Sequence, residues 1–208
     1  PVAEMKYIDA LRRAERLPTV AVAHARLEDH YVESVLEQQA EFPFVRSIRH
    51  KPRANASPGD SAGGMADALW RRGYGLLRRF GLRFDLQTPW WHLQEAAQLA
   101  RTYPDTQIIL NHTGLPADRS AQGIADWTRA MTTLSHCPNV AVKISGLGVP
   151  GRRWTADANR DIVLTAIDLF GTDRAMFASN FPVDSLCATF GEIFGGFRAI
   201  VSAFIVAS

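Results

Sequence analysis

Six short apolar runs, alternating with stretches of helical periodicity, restrict this chain more than any other feature of its sequence. The runs are Val20–His24, Val45–His50, Leu82–Gln87, Gln107–His112, Val140–Ser145 and Arg174–Asn180. They are mostly rich in Val, Ile, Phe and Leu, as strands covered by helices should be. Between them apolar residues recur at three- and four-residue steps, giving each helix one stripe. The stripes are Val32, Val35, Leu36 and Ala40; Met65, Leu69, Leu76, Leu77 and Phe80; Leu93, Ala96, Ala97 and Ala100; Ile124, Trp127, Met131 and Leu134; and Ile162, Val163, Ala166, Ile167 and Phe170. Strand-helix repetition of this kind predicts βα units and a parallel sheet.

Punctuation supports the divisions. Gly81 and Gly171 follow Phe80 and Phe170 where a helix should end in a left-handed residue. Pro104 and Pro138 stand where a helix cannot continue. No composition break marks a domain boundary, so residues 1–208 read as one domain. With 47% hydrophobic and 21% charged residues the chain has the material for a core, which excludes disorder. A net charge of +2, with its Arg pairs scattered, gives no reason to expect a nucleic-acid partner. Cys137 and Cys187 cannot form a disulfide framework and fit a reducing, cytoplasmic setting. Pro1-Val2-Ala3-Glu4 does not resemble a signal peptide, and the apolar end Ala199–Ser208 is too short to span a bilayer. Within that end, Ser202–Ser208 has no helix stripe and reads as an altered or cut terminus.

The pattern leaves a closed barrel and a doubly wound open sheet as alternatives. Gly146-Leu-Gly148-Val-Pro-Gly151 matches G-x-G-x-x-G after a strand, which favours the open sheet. A dinucleotide site, however, needs its helix to open on that loop. Here the helix should start only near Thr155, and Asp168 lies inside it rather than at a strand end. A flexible βα loop is the better reading.

The strand ends carry the chemistry: His24, Arg49 and His50, Gln87, Asn111 and His112, Lys143 and Ser145, and Asn180. In a (β/α) barrel that edge is the active-site face. Alternation puts Arg83, Asp85 and Gln87 on one face, opposite Leu82, Phe84 and Leu86. It likewise puts Lys143 and Ser145 opposite Val142 and Ile144. The polar faces should point into the barrel. In Val45–His50 either Arg49 or His50 points inward, but not both. His24 reads equally as a side chain bonding a neighbouring loop. Arg49 and His50 open a basic run with Lys51 and Arg53, either a solvated loop or a carboxylate-binding rim. Asp85 and Lys143 read as a structural ion pair at least as readily as a catalytic one. After Gln87, Trp90 and Trp91 wall a pocket or staple a helix start. His112 has the strongest functional case, since a neutral imidazole there can accept or donate a proton near neutral pH.

Ile109-Leu-Asn-His-Thr-Gly-Leu-Pro116, Val142-Lys-Ile-Ser-Gly146 and Met176-Phe-Ala-Ser-Asn-Phe-Pro-Val-Asp184 resemble the amidohydrolase-related branch of the amidohydrolase superfamily. That branch includes pyrone-dicarboxylate and sugar lactonases and aminocarboxymuconate-type decarboxylases. The resemblance runs from Val20 to Arg198 and implies an α/β fold of the (β/α)8 TIM-barrel type. It also implies an incomplete barrel of about six βα units. The family's first strand carries H-x-H, which this chain lacks, so the first two strands and the closing helix are expected to be missing. A length of 208 residues, against about 250 for a typical barrel, agrees with a fragment having two open sheet edges.

Two departures from the family bear on mechanism. Gln87 stands where metal-dependent members place a His, and Asn180 where the last strand usually supplies a water-activating Asp. An amide takes up no proton near neutral pH. The resemblance therefore implies a hydrolase of a lactone, or another small carboxylic ester or amide, with no metal or other cofactor in this chain. A divalent ion such as Zn²⁺ is left to full-length homologues. His112, Asp184 and Asn180 are the expected catalytic residues; His24, Arg49, His50, Gln87 and Lys143 would bind a small carboxylate or lactone. Asp184 would take over water activation if its loop folds back. A homo-oligomer stays open. A metal-dependent decarboxylase on the same fold and an inactive fragment are the competing readings.

Overall fold

The computed structural model describes residues 1–59 and 61–205. Its centre is one sheet of six parallel strands in strict chain order. They are β1 (Ala21–His24), β2 (Val45–Arg49), β3 (Arg83–Leu86), β4 (Ile108–Leu110), β5 (Val140–Ile144) and β6 (Ala175–Phe177). Parallel neighbours cannot be joined by a hairpin, so each connection crosses over through a helix. The crossovers are α2 (Val32–Ala40), α3 (Ala68–Leu76), α4 (Leu93–Thr102), α5 (Ala121–Ser135) and α6 (Ala156–Phe170); α1 (Val2–Glu15) precedes the sheet and α7 (Phe190–Ile205) follows it. A doubly wound sheet would reverse its strand order at a switch point. Sequential order decides for the barrel type, with β1 and β6 unpaired to each other among the described residues.

The period-2 pattern sorts the two sheet faces as the sequence predicts. Ile48, Phe84, Leu86, Ile108, Leu110, Val140 and Val142 are fully buried in one cluster with Leu36, Tyr74, Ala96, Trp127 and Val163 from the helices. Helix starts follow from capping chemistry. Asp67 Oδ1 accepts from Trp70 N at 2.9 Å, Ser120 Oγ from Gly123 N at 3.1 Å, and Thr155 Oγ1 from Ala158 N at 3.2 Å. Because Thr155 caps α6, the Gly146–Gly151 segment is a loop standing off the helix start, as its sequence suggested.

Several expectations are corrected. His24, Arg49 and Lys143 lie within the ladder, but Asn111, His112, Ser145 and Asn180 lie beyond it, where the backbone turns left-handed at His112, Gly146 and Asn180 and can no longer pair. The third helix begins at Ala68, so Met65 is buried ahead of it rather than on its stripe. Gly81 ends its turn in the left-handed region, but Gly171, at φ 73° and ψ 165°, takes an extended conformation open mainly to glycine. Helix α7 follows β6, where the chain was expected to stop short of a closing helix, and it buries Ile193, Phe197 and Ile200. It runs through Ser202 to Ile205, while residues 206–208 of the expected altered terminus lie outside the described residues. No helix among the described residues is long and apolar enough to cross a membrane.

At the N-terminal edge of the sheet one closure recurs. Asn139, just before β5, places Nδ2 at 3.1 Å from the carbonyls of Ala100, Tyr103 and Thr106. Arg174, just before β6, places Nη1 at 3.0–3.1 Å from those of Ser135, Cys137 and Val140. Each gathers carbonyls from the segment that runs from the end of the preceding helix to the start of its strand.

Candidate active site

Partners across a parallel ladder point to the same side. His24, Arg49, Asp85, Ile109 and Ala141 therefore form one row on the face away from the helices. Two residues further along β5, Lys143 points to the same side. This resolves the ambiguity in β2: Arg49 faces inward and His50 outward. Lys143 Nζ pairs with Asp85 Oδ1, the carboxylate being 1% exposed and the ammonium side chain 23%. Asp85 Oδ2 and the nearby Ser47 Oγ are buried and have no partner among the described residues.

Beyond β4 the chain enters a turn in which His112, Thr113, Gly114 and Leu115 all have positive φ, between 53° and 68°. Side chains rarely tolerate this region, so something must hold the turn. Trp127 Nε1 of α5 donates to Thr113 O at 2.8 Å, and Thr113 Oγ1 bonds the backbone of Ser145. Gly146 supplies the room, since a Cβ there would lie 2.6 Å from His112 Cβ. The turn presents His112 with Nδ1 at 3.1 Å from Ser145 Oγ. Its Nε2 has no hydrogen-bond partner among the described residues. Burial, and then the charges of Arg49, Lys143 and Lys51, push the imidazole down to about 4, against a weaker opposing pull from Asp85. His112 is thus neutral at physiological pH, on a cationic face.

The other expected residues distribute unevenly. Exposed His24 donates from Nδ1 to the Arg49 carbonyl at 2.9 Å. His50 is drawn into a separate cleft of about 450 Å³ with Glu28, Lys51, Arg53 and Trp70. There His50 Nδ1 accepts from Trp70 Nε1 at 3.1 Å and Leu27 N at 3.3 Å, and burial lowers its pKa. Gln87 is half-buried just past β3. Asn180, itself left-handed, donates from Nδ2 to Asp184 Oδ1 at 2.8 Å, and Asp184 Oδ2 accepts from Gly148 N at 3.4 Å. The structure thus brings Arg49, Asp85, Lys143 and His112 together and joins Asn180 to Asp184. Sequence reasoning missed Thr113 and Trp127; the Thr-Gly after His112 was the only signal for the former.

Among the described residues no three His, Cys, Asp or Glu side chains converge to hold a metal ion. With amides at Gln87 and Asn180, the donors present do not fit one, and no step below runs through a metal.

His112 gives the fold a pH dependence. Its imidazole protonates near 4 when folded against about 6.5 when unfolded, so the unfolded chain takes up its proton first as pH falls. The stabilisation from its neutral form is whole above pH 6.5 and declines as pH drops toward 4. Between pH 7 and 5 the expected loss is at most about 2 kcal/mol, less whatever solvent screening removes. Urea midpoints measured across that range should fall, and fall less in His112→Asn. A flat profile in the unsubstituted chain would place the imidazole near its ordinary value.

A family model described as amidohydrolase matches residues 6–202. The chain is 37% identical over 210 residues to an uncharacterized protein, y4mH, of Sinorhizobium fredii, spanning 99% of this chain and 70% of that protein. It is 34% identical over 118 residues to an L-fucono-1,5-lactonase of Burkholderia ambifaria, which is 53% of this chain and only 38% of the lactonase. Among solved structures, an amidohydrolase of Burkholderia multivorans with bound zinc superposes with a TM-score of 0.78 at 24% identity, over 98% of this chain and 72% of that one.

Proposed function

Because the chain belongs to the amidohydrolase family, we propose that it serves a hydrolase that opens a lactone, or cleaves a similar ester, of a small carboxylic acid. The observation carrying this reading is the neutral, cation-flanked imidazole of His112 at the C-terminal edge of the sheet. An imidazole held near 4 is almost wholly uncharged at pH 7 and so has no imidazolium proton to give, but its neutral N–H can polarise a carbonyl. In this reading the Ser145 hydroxyl donates a hydrogen bond to Nδ1, which selects the tautomer with hydrogen on Nε2, directed toward the substrate carbonyl. Arg49, with no ion-pair partner among the described residues, stabilises the oxyanion and then the carboxylate product. Lys143, already paired with Asp85, adds to the local positive potential. Asp184 takes the proton of the attacking water: its carboxylate is fixed by Asn180 and Gly148 and keeps further lone pairs for that water. The released ring oxygen is protonated from solvent. His24 and Gln87 line the rim and bond substrate hydroxyls, whereas His50 shapes the adjacent cleft.

The name of the Burkholderia ambifaria relative makes sugar-acid lactones the first substrates to try. The test presents the purified chain with aldono-1,5- and 1,4-lactones and a pyrone dicarboxylate at pH 7, with proton release read by an indicator dye. Accelerated release from the aldonolactones is expected. A folded chain that hydrolyses no lactone faster than buffer would sink the reading, and CO₂ release from a hydroxybenzoate would move it to the decarboxylases.

A further inference from the structure

We propose that Thr113 is a positioning residue that acts on His112 through Ser145, an inference that rests on the role given to His112 above. The β4–β5 ladder ends at Leu110 opposite Val142, because the chain then turns left-handed and offers no strand backbone to pair. Thr113 takes over from the ladder with its side chain. Its Oγ1 accepts from Ser145 N at 3.2 Å and lies 3.1 Å from Ser145 O and 3.4 Å from Lys143 O, to either of which it can donate. One fully buried hydroxyl thus engages both backbone groups of Ser145. Ser145, itself buried, is thereby fixed with its own hydroxyl 3.1 Å from His112 Nδ1. The loop of bonds closes through the peptide joining His112 to Thr113, so the imidazole and the group that orients it are held by one residue.

A Thr placed only to fill space would not need this. The residue is fully buried, and valine has the same shape and β-branching without the hydroxyl. A neutral imidazole has two tautomers, and the one with hydrogen on Nε2 requires a donor at Nδ1. Ser145 can be that donor only if its backbone is held, which is what Thr113 does. Arg49, Lys143, Lys51 and Asp85 act on the His112 ring through charge, but none of them is placed to select its tautomer.

The test compares Thr113→Val with Thr113→Ser in the full chain, labelled with ¹⁵N, by following the His112 ring nitrogens across pH. In Thr113→Val the ring should lose its single-tautomer pattern and its titration should move up toward the ordinary histidine range, while Thr113→Ser keeps both. On a lactone hydrolysed by the unsubstituted chain, Thr113→Val should lower kcat roughly ten-fold or more with KM within about two-fold. Should Thr113→Val not fold, Ser145→Ala must show the same change in the ring nitrogens. Ring shifts and titration that stay unaltered in a folded Thr113→Val, or in Ser145→Ala, overturn the proposal. The ring readout needs no substrate. If it changes while His112→Asn hydrolyses lactone normally, the catalytic role given to His112 fails and the positioning of its ring by Thr113 stands; if it changes while the unsubstituted chain hydrolyses no lactone, the lactonase reading fails and the positioning stands.

Discussion

Replacing His112 with asparagine is expected to slow lactone hydrolysis about 10²- to 10⁴-fold with little change in fold. The choice of asparagine follows from the backbone. Position 112 sits at φ 54°, a conformation that Asn tolerates better than most side chains, so the turn should survive the substitution. What is lost is the ring that reaches from the turn toward the substrate carbonyl, together with its bond to Ser145. Circular dichroism and the urea midpoint at pH 7 should stay near those of the unsubstituted chain, which separates lost chemistry from lost structure. Activity retained within about three-fold would remove His112 from the mechanism.

The largest effect on stability is expected from Lys143→Met. This substitution leaves Asp85, 1% exposed, without its cation. A carboxylate in that position must either stay charged without a partner or take up a proton, and breaking a buried pair from one side costs about 3–5 kcal/mol. The reverse substitution, Asp85→Asn, should cost clearly less, because the Lys143 side chain is 23% exposed and can swing its ammonium toward water. Urea unfolding at pH 7 measures both. Equal losses, or a larger loss from Asp85→Asn, would mean that the pair is solvated and contributes as a surface bridge does.

How much of this was legible in the sequence depends on the range of the interaction concerned. Strands and crossover helices show in a single segment, since burial of one face imposes its own period on Phe84 and Leu86 or on Ile162, Val163 and Ala166. The ion pair of Asp85 and Lys143 was legible as an option because alternation put both on the inner face. The orientation of Arg49 against His50 was not, because it is fixed by register with β1 and β3 rather than by anything within β2. Helix α1 escaped notice because Met5 is its one fully buried side chain, too little to mark a stripe. The role of Thr113 could not be assigned without the fold, although the Thr-Gly after His112 marked the position. Its bonds run to a backbone 32 residues away, and nothing in an Asn-His-Thr-Gly run announces where that hydroxyl goes.

The closures made by Asn139 and Arg174 separate two kinds of tolerance within one chain. Both lie at the sheet edge opposite His112 and hydrogen-bond to main-chain carbonyls, so what they hold is indifferent to the side chains of the loops above. Loops at the catalytic edge can then exchange residues, lengthen or change charge while the strands beneath keep their spacing. Selection for a new substrate has one end of the molecule to explore and need not renegotiate the other, so variants of altered specificity should collect in the segments after β2, β3 and β5 while Asn139 and Arg174 stay fixed.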